Sequence, residues 1–185
     1  MKAVVLDGSR DERDSALLAH LVDSLARADH AVEVIALREK KIAPCLGCFG
    51  CWVKTPGECV LADDGRDVAR ALARSDLMAY FTPVTFGGVS AELKKALDRM
   101  IPNISPFFAR VAGETHHRRR YPRPPALLGL GTLDAPDLPA EALFKTLVER
   151  NALNLRTSRM AASVVTRGDP RAAEAISALV KAVTS

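Results

Sequence analysis

The chain has 185 residues, 48% of them hydrophobic and 26% charged. That suits one globular domain, 1–185, burying about 70% of its unfolded surface, and it excludes a disordered or fibrous chain. The net charge of +4 comes from residues 103–125, where Arg110, Arg118, Arg119, Arg120 and Arg123 outweigh Glu114, since 21 basic residues meet 21 acidic ones elsewhere. Nucleic-acid binding needs basic residues spread along a face, so this focus is read as a place for an anionic ligand or acidic partner, with no nucleic-acid partner.

Lys2 to Asp7 is a short apolar run ended by Gly8, as expected of a strand buried on both faces. Its four apolar residues are too few for a signal peptide or a membrane span, so a cytoplasmic protein without membrane contact is expected. Leu17, Leu18, Leu21, Val22 and Leu25 follow at helical spacing, with Asp14 or Ser15 placed to cap the start. Residues 31–37 form a second strand. After the cysteine-rich loop 42–64, Asp64 or Asp67 opens a helix through Ala73, and 76–83 makes a third strand that Pro83 ends.

Ser90 is placed to cap the next helix, which Pro102 breaks. Strands at 126–132 and 161–165 and helices at 139–152 and 170–183 complete the pattern. Five strands alternating with five helices predict an α/β fold with a parallel sheet covered on both faces. Ligands in such sheets sit beyond the carboxyl ends of the strands, which singles out the loops 8–15, 83–90 and 131–136.

All four cysteines fall between Pro44 and Val60: Cys45, Cys48, Cys51 and Cys59, spaced C-x2-C-x2-C-x7-C. In a reducing compartment such a group points to metal or redox chemistry rather than disulfides. Three thiolates can wrap the corner of an iron-sulfur cluster and a fourth, beyond the turn at Pro56-Gly57, can close it. A redox thiol pair and a loop without metal stay open beside that reading. Zinc suits the spacing less, and His20, His30, His116 and His117 add no ligand nearby.

The segment TPVTFGGVSAELKKALDRM, Thr82 to Met100, resembles the flavin loop of the flavodoxin-like NAD(P)H-dependent FMN reductases, the iron-sulfur flavoproteins among them. Thr82, Pro83, Val84, Gly87, Ser90, Leu93, Lys94, Asp98 and Arg99 match its pattern T-P-V-Y-x-G-x-x-S-x-x-L-K-x-x-x-D-R. The resemblance implies a flavodoxin-like three-layer sandwich with strand order 2-1-3-4-5, FMN as cofactor and NAD(P)H as co-substrate. It further implies a [4Fe-4S] cluster on the four cysteines and assembly as a homo-oligomer. Pro83, Val84, Thr85, Phe86, Gly87 and Gly88 are then expected around the flavin ring, Phe86 lining the ring or packed in the core, and Gly131 and Thr132 beside them.

In the first loop the resemblance implies that Ser9, Arg10 and Ser15 hold the flavin phosphate at a helix N-terminus. Here the loop reads GSRDERDS, so Asp11, Glu12 and Asp14 intrude. A carboxylate about 4 Å from a phosphate charge costs about 4 kcal/mol at an effective dielectric of 20, against at most about 2 kcal/mol gained from the helix terminus. These acids must turn away, balanced by Arg10 and Arg13, or the phosphate is held weakly.

Residues 103–125 are too long and proline-rich for a routine connection, so they are read as a functional excursion. Its arginines would meet the phosphates of NAD(P)H or simply form a solvated or subunit-contacting loop. The function expected is an FMN-dependent oxidoreductase passing electrons from NAD(P)H to a small acceptor, a quinone or free flavin. The alternatives are an iron-sulfur and flavin electron carrier serving a ferredoxin-like partner, or a metal-binding module without flavin. No side chain stands out as a catalytic acid or base.

Overall fold

The computed structural model describes residues 1–185. Strand β1 (Lys2–Asp7) leads into α1 (Ser15–Arg27), and β2 (Ala31–Ala36) leads through the cysteine segment, with its single-turn α2 (Gly50–Val53), to α3 (Gly65–Ala73). Then follow β3 (Leu77–Pro83), α4 (Ala91–Asp98), β4 (Ile104–Val111), β5 (Glu114–Arg119), β6 (Ala126–Leu133), α5 (Leu138–Leu155), β7 (Met160–Thr166) and α6 (Ala172–Thr184). Five strands pair in parallel in the order β2-β1-β3-β6-β7. With β4 and β5 set aside, this is the expected order 2-1-3-4-5.

The strands alternate because each pleat sends successive side chains to opposite faces. Ala3, Val5, Ala79, Phe81, Leu128 and Leu130 meet Leu21 and Leu25 of α1 and Ile176 and Val180 of α6 in one core layer. Val4, Leu6, Met78, Tyr80 and Leu127 meet Leu72 of α3, Leu93 of α4 and Phe144 and Val148 of α5 in the other. Every one of these residues is fully or almost fully buried. The result is a three-layer sandwich whose carboxyl edge gathers the loops after β1, β3, β6 and β7.

The excursion at 103–125 is a hairpin rather than a loop: β4 and β5 pair antiparallel from Val111–Glu114 back to Ile104–Arg119, with a register shift between Ile104 and Phe108. Ala112 and Gly113 both take positive φ, 50° and 85°, the two-residue turn whose twist matches paired strands. The hairpin is tied to α5 through Glu114, which accepts from Arg150 at 2.6 Å, and through His116, which lies 3.0 Å from Asn154 Oδ1. Arg150 foremost, then His116, holds the Glu114 carboxyl down at about 2. His30 is buried beside the turn after α1, its Nδ1 2.9 Å from the Ala28 carbonyl.

No helix is long and apolar enough to cross a membrane.

Candidate functional site

Three of the loops marked out by the sequence converge at the carboxyl edge on a cleft of about 200 Å³. Arg10 comes from the first loop, Pro83, Val84 and Thr85 from the second and Thr132 from the third, and Arg167, just beyond β7, completes the wall. Ser9 and Gly131 are buried at the base of their loops, whereas Ser15 is exposed on the first turn of α1.

The loop after β3 is built by its own hydrogen bonds. Thr82 Oγ1 accepts from the Ser90 amide at 2.9 Å, and Ser90 Oγ accepts from the Leu93 amide at 3.3 Å, which is the helix cap expected from the sequence. Val84 N–H donates to the Thr132 carbonyl, and Thr85 and Gly88 exchange amide-to-carbonyl bonds of 3.0 and 2.9 Å. At the tip the Phe86 and Gly87 amides donate to nothing in the chain. Both residues take positive φ, 51° and 73°. For phenylalanine this is an uncommon conformation of the kind that clusters at ligand-binding loops.

Phe86 is fully exposed, so it does not pack in the core. Its neighbour Gly87 lies against Leu143 of α5, and Leu138 and Leu143 are themselves exposed apolar side chains on that helix. Gly131 is needed for close packing: a Cβ there would lie 2.6 Å from Val84 and 3.2 Å from Phe144.

The first loop answers the question its acids posed. Asp11 caps the turn that follows and pairs with Arg13 at 3.0 Å. Asp14 occupies the N-cap position of α1 yet caps nothing, because its carboxylate turns into the cleft toward Arg167, not toward Arg10 or Arg13. Arg167 Nε and Nη2 reach the Asp14 oxygens at 2.6 and 2.8 Å, and Thr132 Oγ1 donates to Oδ2 at 3.0 Å. The Arg167 guanidinium is held charged even more firmly than usual, chiefly by Asp14 against the opposing effect of burial, with Asp134 adding to it. Ser9 Oγ, also buried, has no hydrogen-bond partner.

The cysteine loop begins at the same edge. Cys45 and Cys48 are exposed, Cys59 is half-buried and Cys51 is buried, and none forms a disulfide. Burial pushes the Cys51 thiol up, and the nearby Cys59, Cys45 and Cys48 push it further. The four thiols thus share one neighbourhood, although no three metal-binding side chains meet closely enough to hold an ion in this arrangement. In kind, a set of four thiols fits an iron-sulfur cluster.

What shapes the loop is a buried clamp. Arg99, 2% exposed, donates to both Asp63 oxygens at 2.7 and 2.8 Å and to the Ala43 carbonyl at 2.8 Å. Asp63 also accepts from the Ala43 and Gly65 amides. The Arg99 bonds foremost, with the amides helping against burial, hold the Asp63 carboxyl down at about 2. Asp63 is therefore a structural clasp between the two ends of the loop. Phe49 stacks on Trp52 at 5.1 Å, Trp52 meets His117 at 4.9 Å and His117 meets Phe108 at 4.6 Å, so an aromatic ladder fastens the cysteine loop to the hairpin.

Arg119, Arg120 and Arg123 lie elsewhere. With Met78 and Tyr121 they line a small cleft at the amino ends of β3 and β6, about 20 Å along the strands from the flavin loop. The structure therefore does not bring them, within one chain, to the edge where NAD(P)H phosphates were expected. The residues the sequence reading missed are Arg167 and Asp134. Arg167 follows directly on the last strand, and its place at the carboxyl edge was the signal that could have found it.

A sheet of this order, with an open amide-bearing loop after its third strand, defines the flavodoxin-like class. Across the whole chain it superposes on an NAD(P)H:quinone oxidoreductase from Methanothermobacter marburgensis, with 97% of that protein covered, 16% identity and a TM-score of 0.66. A Bacillus anthracis FMN-dependent NADH-azoreductase solved with FMN gives the same TM-score at 10% identity, covering 100% of this chain and 99% of that one. The family model described as NADPH-dependent FMN reductase matches residues 1–167, and the chain belongs to that family of oxidoreductases. It is 36% identical over 104 residues to an iron-sulfur flavoprotein of Methanocaldococcus jannaschii and, over the same length, to one of Archaeoglobus fulgidus. These matches cover 55% of this chain and 53% and 46% of those proteins, so the chain spans about half the length of the curated relatives it matches.

Proposed function

We propose that the chain binds FMN at the carboxyl edge of its sheet and passes electrons from NAD(P)H to a small acceptor, a quinone or free flavin. The observation that carries this reading is the loop Pro83–Gly88: its Phe86 and Gly87 amides point to no partner in the chain and suit the polar edge of a flat heterocycle. Ser9, Arg10, Ser15, Gly131 and Thr132 belong to the same proposed site. The orphaned Ser9 hydroxyl gives the flavin tail a donor and acceptor. When bound, the flavin supplies the exchange between two-electron and one-electron transfer.

The chain's own part is positional. The free amides fix the polar edge of the ring, and Val84 packs beneath the loop. The acids in the cleft are held in ion pairs, so none is poised to move a proton, and no catalytic side chain is assigned. A second copy of the chain would cover the exposed patch of Phe86, Leu138 and Leu143 next to this site. The setting that suits four free thiols is the cytoplasm. Anaerobic mixing of the FMN-loaded protein with NADPH is expected to bleach the flavin band and a quinone to restore it. A band that NADPH and NADH both leave unchanged would reject the nicotinamide-dependent reading.

The thiols carry a second element of the proposal. Cys45, Cys48, Cys51 and Cys59 hold a [4Fe-4S] cluster beside the flavin edge, which would also let the chain act as an electron carrier. The support is the four-thiol donor set on one loop that Asp63 and Arg99 hold in shape. Anaerobically purified protein is expected to contain about four iron and four acid-labile sulfide per chain. Their absence, with zinc absent too, would leave a loop of packed thiols.

A further inference from the structure

Resting on the flavin reading, the next question is what the first loop does with the flavin's phosphate. A seat for a phosphate dianion combines amide or guanidinium donors with net positive charge. This cleft has the donors but not the charge. Arg10, Arg13 and Arg167 stand on its wall with Asp11, Asp14 and Asp134, three positive groups against three negative ones. Its strongest donor is already taken: Arg167 gives Nε and Nη2 to Asp14 and Nη1 to Asp134 at 2.6 Å. Thr132 donates its hydroxyl to the same Asp14 oxygen. The carboxylate is 3% exposed, sits at the start of α1 and is held there by Thr132 of β6 and by Arg167 just past the end of β7. In shape and charge it takes the place of the anion that such a seat would bind.

We propose that Asp14, bound to Arg167 and Thr132, is a built-in occupant of the phosphate seat, and that the chain therefore takes riboflavin and FMN alike, as an exchangeable flavin. A phosphate entering the cleft would meet the fixed charges of Asp14 and Asp134 or have to draw Arg167 away from both. Neutral groups lose nothing by comparison. The amides of Arg10 and Asp11, which donate to nothing in the chain, and the unpartnered Ser9 hydroxyl suit ribityl hydroxyl groups as well as they suit phosphate oxygens. Affinity then comes from the ring and the ribityl chain, and the 5′-phosphate adds almost none.

The test is a fluorescence-quenching titration of the flavin-free chain with riboflavin and with FMN at one ionic strength. The two dissociation constants are expected to agree within about threefold, under 1 kcal/mol. Asp14→Asn keeps the shape and removes the charge, and is expected to tighten FMN at least about tenfold, some 1.4 kcal/mol, while leaving riboflavin nearly unchanged. Inorganic phosphate should compete with FMN in that variant alone. Asp134→Asn alters an exposed carboxylate and is expected to tighten FMN several-fold, which keeps the test open should Asp14→Asn fail to fold. FMN binding the unaltered chain about a hundredfold tighter than riboflavin would overturn the proposal and leave the flavin reading intact. So would variants that leave FMN affinity where it was. Binding of neither flavin would overturn both.

Discussion

Arg99→Met is expected to lower the unfolding free energy by about 3 kcal/mol and to expose Cys51 to thiol reagents, because it leaves the part-buried Asp63 carboxylate without its cation. The buried guanidinium joins Ala43, ahead of the cysteines, to Asp63, behind them. Urea unfolding and the rate of Cys51 modification read the two effects. A variant as stable as the parent would show that the loop holds itself.

The same clamp has a pH signature. The Asp63 carboxyl is held at about 2, below its ordinary 3.8, so the folded state binds its proton more weakly than the unfolded chain. Its contribution, about 2 kcal/mol, is fully present above pH 4 and is lost as the pH falls through about 2. Asp63 is 19% exposed, which keeps solvent screening small. Asp63→Asn should remove that acid limb from the stability profile while the rest of the profile keeps its shape. An unchanged acid limb would place the titration elsewhere.

Gly131→Val has the largest expected effect on the site. The new Cβ would meet Val84 at 2.6 Å, Val164 at 3.1 Å and Phe144 at 3.2 Å. Phe144 is fully buried and cannot retreat, whereas Val84 sits on the open loop and can. Overpacking should cost about 1–3 kcal/mol, and the displaced loop should weaken flavin binding at least about tenfold. Lost stability with flavin affinity unchanged would make Gly131 a core residue with no part in shaping the site.

The centre of the sheet was legible because β1, β3 and β6 are buried on both faces and read as apolar runs. The edge strands β2 and β7 are only partly buried and were marked by their β-branched residues, and the observed bounds of all five differ by a residue or so from the expected ones. The segment Thr82–Met100 was legible for another reason: loop, cap and helix are all local, and Ser90 caps as its spacing requires. The hairpin β4–β5 was not, since Pro106 interrupts its alternation, its second strand is His- and Arg-rich, and its turn is Ala112-Gly113 rather than the usual Asn-Gly. The Asp14–Arg167 pair joins residues 153 apart in the chain, and no local pattern connects them. Without Arg167, Asp14 reads only as an obstacle at a helix start.

The position of the flavin is the claim on which the rest depends, and amide chemical shifts during a riboflavin titration of the isotope-labelled chain test it most directly. Saturable shifts should concentrate at Phe86, Gly87, Arg10 and Thr132. Shifts gathered instead around Met78, Arg120 and Tyr121, at the amino ends of the strands, or none at all, would contradict it.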